Sequence, residues 1–138
     1  MRLAPRIGPQ PSTITLGADE TKLWNVVGMD LDGLNAPELV LHYNPRAMDV
    51  TDVMLGNAIA VNPALPPVVT IDRDNGTIRV KSSDGKPLTF ISGGDVLAIR
   101  VHGGVAGETF LVLQNPEFRT AGGQNVLAAV AGGRAKVH

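Results

Sequence analysis

Two of the three histidines, a scatter of carboxylates and a few serines are the side chains of this 138-residue chain with the right types for chemistry, and their spacing decides what they can do. His42 and His102 have the donor atoms of a metal pair, but no third ligand follows at a recognisable spacing. A histidine outside any motif reads first as structural or surface. Asp30-Leu31-Asp32-Gly33 and Asp72-Arg73-Asp74-Asn75-Gly76 have the outline of calcium loops. Neither continues with the further oxygen ligands and closing glutamate that such a loop needs, and the second reads better as a hairpin turn. Ser12, Ser82, Ser83 and Ser92 sit in no nucleophile elbow, and Gly103-Gly104-Val105-Ala106-Gly107 lacks the strand-loop-helix setting of a phosphate cradle. Glu38 with Asp52 or Asp72 has the chemistry of a glycosidase pair, but strands distant in sequence define no separation between them. Trp24 and Tyr43 are able to stack on a sugar ring, yet with aromatics at 4% of the chain they are expected in the core. The expectation is a non-catalytic domain that holds no cofactor and no metal.

The elements that must position these residues read as strands. Thr13-Ile14-Thr15-Leu16 alternates, and Lys22 to Leu31 forms a longer apolar segment around Trp24, Val26 and Val27. In Glu38-Leu39-Val40-Leu41-His42-Tyr43, period-two alternation turns Leu39, Leu41 and Tyr43 to one face and Glu38, Val40 and His42 to the other. Met48 to Gly56 alternates again, with Met48, Val50 and Val53 inward and a shift of face between them. Asp74-Asn75-Gly76 separates Val69-Thr70-Ile71 from Thr77-Ile78-Arg79-Val80, and Asn-Gly supplies the positive φ angles of a tight hairpin. Val96 to His102, Phe110 to Leu113, Val126 to Val130 and Arg134 to Val137 complete the strands. Leu39, Leu41, Tyr43, Ile78, Val80, Leu97, Ile99 and Val101 are the expected core. No stretch has an amphipathic helical repeat, and the 16 glycines and 10 prolines punctuate short alternating runs as they do in a sandwich.

Composition bounds the classes. Hydrophobic residues at 43% and charged residues at 18% are globular values, and the length suits one domain. A net charge of -1 exerts no pull on nucleic acid, and no apolar run is long enough for a membrane-spanning segment. With no cysteine there is neither disulfide nor thiolate chemistry. Residues 1–11, with Pro5, Pro9 and Pro11, read as a linker or disordered N-terminal segment, leaving 12–138 as the domain. The first residues lack the apolar stretch of a secretory signal, which fits either a cytoplasmic protein or an excised piece of a longer exported one.

The run Leu34 to Val50, with its alternating strand, Tyr43-Asn44-Pro45 and following apolar-led strand that ends at Gly56, resembles the cohesin-module signature. Asn75-Gly76-Thr77-Ile78 and Gly94-Asp95-Val96-Leu97-Ala98-Ile99 follow in the matching order, so the likeness covers roughly residues 12 to 137. It departs from the pattern at Asn44, where aspartate is usual, and in its charged second strand. The resemblance implies an all-β, nine-stranded, jelly-roll-like sandwich of two antiparallel sheets, related in fold to carbohydrate-binding modules. It implies a non-catalytic receptor or scaffold module, divergent and non-cellulosomal, that binds another protein, either dockerin-like or a secretion-system component. Similar modules occur in bacterial surface proteins and with type II secretion secretins, so the implied setting is extracellular, cell-surface or periplasmic. Carbohydrate recognition is the rival reading.

If the family topology holds, the strands at 37–43, 68–72 and 77–81, with one near 109–114, form the partner-binding sheet. Its outward residues are then Glu38, Val40, His42, Thr70, Asp72, Thr77, Arg79 and Lys81, with Val40 the apolar anchor at the centre. An ordinary solvated face fits the same residues, because mixed polar faces are normal for antiparallel sheets.

Overall fold

The computed structural model describes residues 4–61 and 63–138. None of these is helical, and they form β1 (Arg6–Gln10), β2 (Thr13–Leu16), β3 (Thr21–Met29), β4 (Asn35–Ala36), β5 (Leu39–His42), β6 (Met48–Leu55), β7 (Val68–Asp72), β8 (Thr77–Lys81), β9 (Leu88–Thr89), β10 (Gly94–Gly103), β11 (Gly107–Leu113), β12 (Ala129–Val130) and β13 (Gly133–Val137). One sheet runs β12-β1-β3-β10-β6 and the other β2-β13-β11-β5-β8-β7, with β4 and β9 as a separate short pair. The sandwich is as expected, although it has thirteen strands rather than nine, three of them only two residues long. The sheets are mixed rather than purely antiparallel, because β1 pairs with β12 and β2 with β13 in parallel.

All eight expected core residues are buried in one cluster, joined by Trp24, Phe90 and Phe118 from segments outside that set. Phe90 and Phe118 meet edge-to-face at 5.3 Å between centroids. The Trp24 indole N–H donates to the Pro11 carbonyl at 2.6 Å, so the ring is buried with its polar atom satisfied. The shift of face in β6 is a bulge. Val101 pairs with Val50 but Arg100 pairs with Asp52, which leaves Thr51 as the extra residue and turns both Val50 and Val53 inward.

The segment expected as a linker instead contributes β1, between β12 and β3, with Ile7 buried. Pro9 misled the sequence reading, since proline rarely enters a paired strand. The Ile7 carbonyl accepts from the Ala131 N–H, so alternation turns the Pro9 nitrogen to the same side, beyond the end of β12. No ladder bond is lost there. The strand expected over Val126 to Val130 pairs only at Ala129 and Val130.

The β7–β8 hairpin forms, but Asp72 pairs with Thr77, so its turn spans Arg73–Gly76 rather than a two-residue Asn-Gly turn, and only Gly76 takes a positive φ, at 69°. Asn75 instead donates its backbone and side-chain N–H groups to the Asp72 carboxylate, at 3.2 and 2.8 Å. A Cβ on Gly76 would stand 2.1 Å from the Tyr43 carbonyl oxygen, so glycine is required both by conformation and by space. At the Tyr43-Asn44-Pro45 corner, the Asn44 side-chain oxygen accepts from the Arg46 N–H at 3.0 Å. The Asn44 N–H donates to the buried Thr109 hydroxyl at 2.7 Å. An amide oxygen thus fills the accepting role open to an aspartate at this corner.

Candidate functional site

The pairing β11-β5-β8-β7 builds the outward face of the six-stranded sheet row by row. Val112, His42, Thr77 and Asp72 form one cross-strand row. The next contains Val40, Arg79 and Thr70, with Gln114 donating its N–H to the Val40 carbonyl at 2.8 Å. Lys81 and Val68 follow, with Glu38 beside them just ahead of β5. Alternation across a pleated sheet is enough to bring these residues to one surface.

The side chains differ in how free they are. Glu38 is half-buried and lies 3.5 Å from the Arg79 guanidinium and 3.6 Å from the Lys81 ammonium. Its Oε2 is shielded from solvent and makes no direct hydrogen bond, so the two cations supply its charge balance. His42 is exposed, with Nε2 3.4 Å from the Gln114 side-chain oxygen. Asp72 is held below the usual carboxylate range by its hydrogen bonds from Asn75, so it shapes the hairpin turn. Thr70 is exposed and Thr77 half-buried.

Val40 departs from expectation. It lies on the outer face but is 4% exposed, outside the main core cluster. The segment 114–117 roofs it, and Pro37, Glu38, Val40 and Gln114 to Glu117 enclose a cavity of about 150 Å³. Period-two alternation gives the side to which a residue points and carries no information on whether a later loop folds over it. The central apolar anchor is therefore a covered residue.

The accessible apolar surface on this face comes from residues the sequence reading left unnamed. Phe110 and Val112 on β11 are 57% and 46% exposed, and Val68 on β7 is 51% exposed. Leu111 and Leu113 face inward, so the alternation of β11 carried the signal for Phe110 and Val112. Phe110 is paired across the sheet with Arg134, whose guanidinium bonds Glu108. That bond holds the Glu108 carboxyl below its usual range.

The alternative chemistries do not assemble. His42 lies on the six-stranded sheet and His102 on the five-stranded sheet, where His102 bonds the Thr21 hydroxyl at 2.8 Å and faces Asp19 at 3.4 Å. Among the described residues no group of three or more histidines and carboxylates is placed to hold a metal ion. Asp52 belongs to the opposite sheet from Glu38. Asp72 is two strands across and four residues along from Glu38, about 16 Å by ladder spacing and too far for a glycosidase pair. Trp24 is fully buried and Tyr43 nearly so, and neither presents a ring to a sugar. Burial pushes the Tyr43 hydroxyl above its usual range.

A β-sandwich with this topology and this corner is a cohesin-like fold, as the sequence resemblance implied. No family model matches the sequence, and no curated protein matches it. Solved structures do. The OlpC cohesin of Clostridium thermocellum, solved as a type I cohesin–dockerin complex, is 16% identical over 98% of this chain and 94% of its own, with a TM-score of 0.79. The OlpA cohesin of the same organism, also solved with a dockerin, is 10% identical over 99% and 100%, with a TM-score of 0.76. A non-cellulosomal cohesin from the archaeon Archaeoglobus fulgidus is 16% identical over 99% and 92%, with a TM-score of 0.73. At these identities the likeness is one of fold.

Proposed function

We propose that this chain is a non-catalytic protein-binding module whose docking surface is the outward face of β11, β5, β8 and β7. The observation that carries the reading is the exposed Phe110 and Val112 pair, on the same outward face as His42, Arg79, Lys81, Thr70 and Asp72. Such a face suits protein docking, in which one or two desolvated anchors are ringed by polar contacts. Cohesins of the same fold solved with dockerins on them support a protein as the partner class. The reading extends to an exported setting, at the cell surface or in a secretion apparatus, on the strength of the cohesin resemblance. A carbohydrate ligand is the weaker alternative, since both Trp24 and Tyr43 are withdrawn into the interior.

The test is a binding panel of calcium-loaded dockerins, including those solved with the OlpC and OlpA cohesins, with a glycan array run alongside. Capture of a dockerin that is lost in Phe110→Asp and Val112→Asp, with melting temperature held, supports the reading. Capture indifferent to both variants removes this face, and glycan binding without dockerin binding removes the protein partner.

A further inference from the structure

The sandwich has four sheet edges, at β12, β6, β2 and β7, and an exposed edge offers unpaired backbone groups to any passing strand. Three edges carry charge. β6 bears Asp49 and Asp52, β7 ends in Asp72 with Arg73 following, and at β2 the Lys22 ammonium bonds the Thr15 carbonyl at 2.7 Å. The β12 edge differs. From Thr120 to Gly133 the chain contains no Asp, Glu, Lys, Arg or His. Leu127 is 93% exposed and Val130 37%, and Ala129 and Ala131 are exposed beside them. Among the described residues, Arg6 sits one strand further in, paired with Ala129, and Arg119 bridges Asn125.

The backbone there is polarised toward an absent neighbour. The Ala129 N–H donates to the Pro5 carbonyl at 2.8 Å and the Ala131 N–H to the Ile7 carbonyl at 2.9 Å. Alternation then turns the N–H and C=O groups of Ala128 and Val130 outward, away from β1.

We propose that this edge is a self-pairing seam through which two copies of the chain join. A two-fold contact sets a surface against itself, so each charge on it meets its like. That opposes self-pairing at β6 and β7, and Lys22 covers β2, whereas β12 itself carries no charge to repel its copy. An antiparallel pairing centred on Ala129 sets Ala128 opposite Val130 of the second copy and Leu127 opposite Ala131. The outward backbone groups of Ala128 and Val130 thereby become two hydrogen-bonded pairs. Two five-stranded sheets become one of ten strands, and the outward face of β11, β5, β8 and β7 stays free in both copies.

Sedimentation velocity across a concentration series tests this, with Ala129→Lys and Ala129→Glu as the variants. Position 129 lies on the dyad and is exposed, so each variant folds normally but opposes its own charge across the seam. The wild type is expected to dimerise with rising concentration. Each variant alone should associate at least about tenfold more weakly, and an equimolar mixture of the two should recover association. A wild type that stays monomeric throughout, or a dimer indifferent to both variants, overturns the proposal and leaves this edge to a strand of another protein.

Discussion

Val40→Ala separates a residue that merely points outward from one that is packed there. Truncation removes two methyl groups, worth about 1.6 kcal/mol at ~0.8 kcal/mol per buried carbon. The space vacated beneath residues 114–117 adds a cavity penalty of up to about 1 kcal/mol, depending on how far the roof settles. A loss of about 1.5 to 2.5 kcal/mol is expected, because only 4% of the residue is exposed. Unfolding entropy for 138 residues is roughly 0.29 kcal/mol/K, so the melting temperature falls by about 5 to 9 °C. Urea titration is the assay, with an unchanged slope showing that only stability has moved. Val112→Ala, at 46% exposure in an adjoining row, is the control and should cost less than about 1 kcal/mol. A Val40→Ala cost below about 0.5 kcal/mol would refute the reasoning, since that is a surface value.

Three further outcomes are expected. Gly76→Ala should destabilise by about 1 to 3 kcal/mol or more in a urea melt, because the new Cβ meets the Tyr43 carbonyl in a left-handed conformation; a neutral result would mean the hairpin relaxes freely. The Arg73 guanidinium, bonded to Asp49 with Nε at 2.9 Å, holds that carboxyl below its usual range. Its contribution is then complete above the unfolded aspartate value near about 3.9 and is lost as pH falls through the lower folded value. Melting temperatures measured across acid pH should show a shallower fall for Asp49→Asn than for the parent, and parallel curves would discount the pair. Chelation with EDTA should leave the melting temperature unchanged, since a bound metal would stabilise by mass action; a drop restored by calcium would bring Asp30 and Asp32 back as ligands.

What was legible in the sequence follows from the range of the forces involved. The inward set Leu39, Leu41, Ile78, Val80, Leu97, Ile99 and Val101 was readable because each lies in a run whose period of two is a property of the backbone. The bulge in β6 was readable for the same reason, as a break in that period. Three things were hidden, and each depends on pairing over long distances in sequence. β1 is a strand because β3 pairs with it from Arg6 to Gln10, while β12, more than a hundred residues later, pairs with its other side only at Arg6 and Ile7 and so spares Pro9. Val40 is covered only because residues 114–117 fold across it. The apolar part of the candidate face lies on Phe110 and Val112, whose role depends on β11 pairing with β5. The sequence was enough to turn the polar residues of that face outward, but not to bring the exposed Phe110 and Val112 beside them.

The parallel joins at the two ends of the chain also bear on how the domain can fold. β2 occupies a sheet edge and pairs only with β13, and Arg134 lies opposite Thr13, so more than a hundred residues separate the partners. A ribosome therefore releases β2 well before anything exists to bind it. The six-stranded sheet lacks its outer two strands until residues 133–137 have emerged, and β1 lacks β12 for nearly as long. Loop-closure entropy must be overcome before such distant pairs give any return, which slows the search and makes it cooperative. Over that interval the apolar side of β2 and the unpaired margin of β11 stand open. The nascent chain, more than the finished sandwich, is the species that requires protection from aggregation.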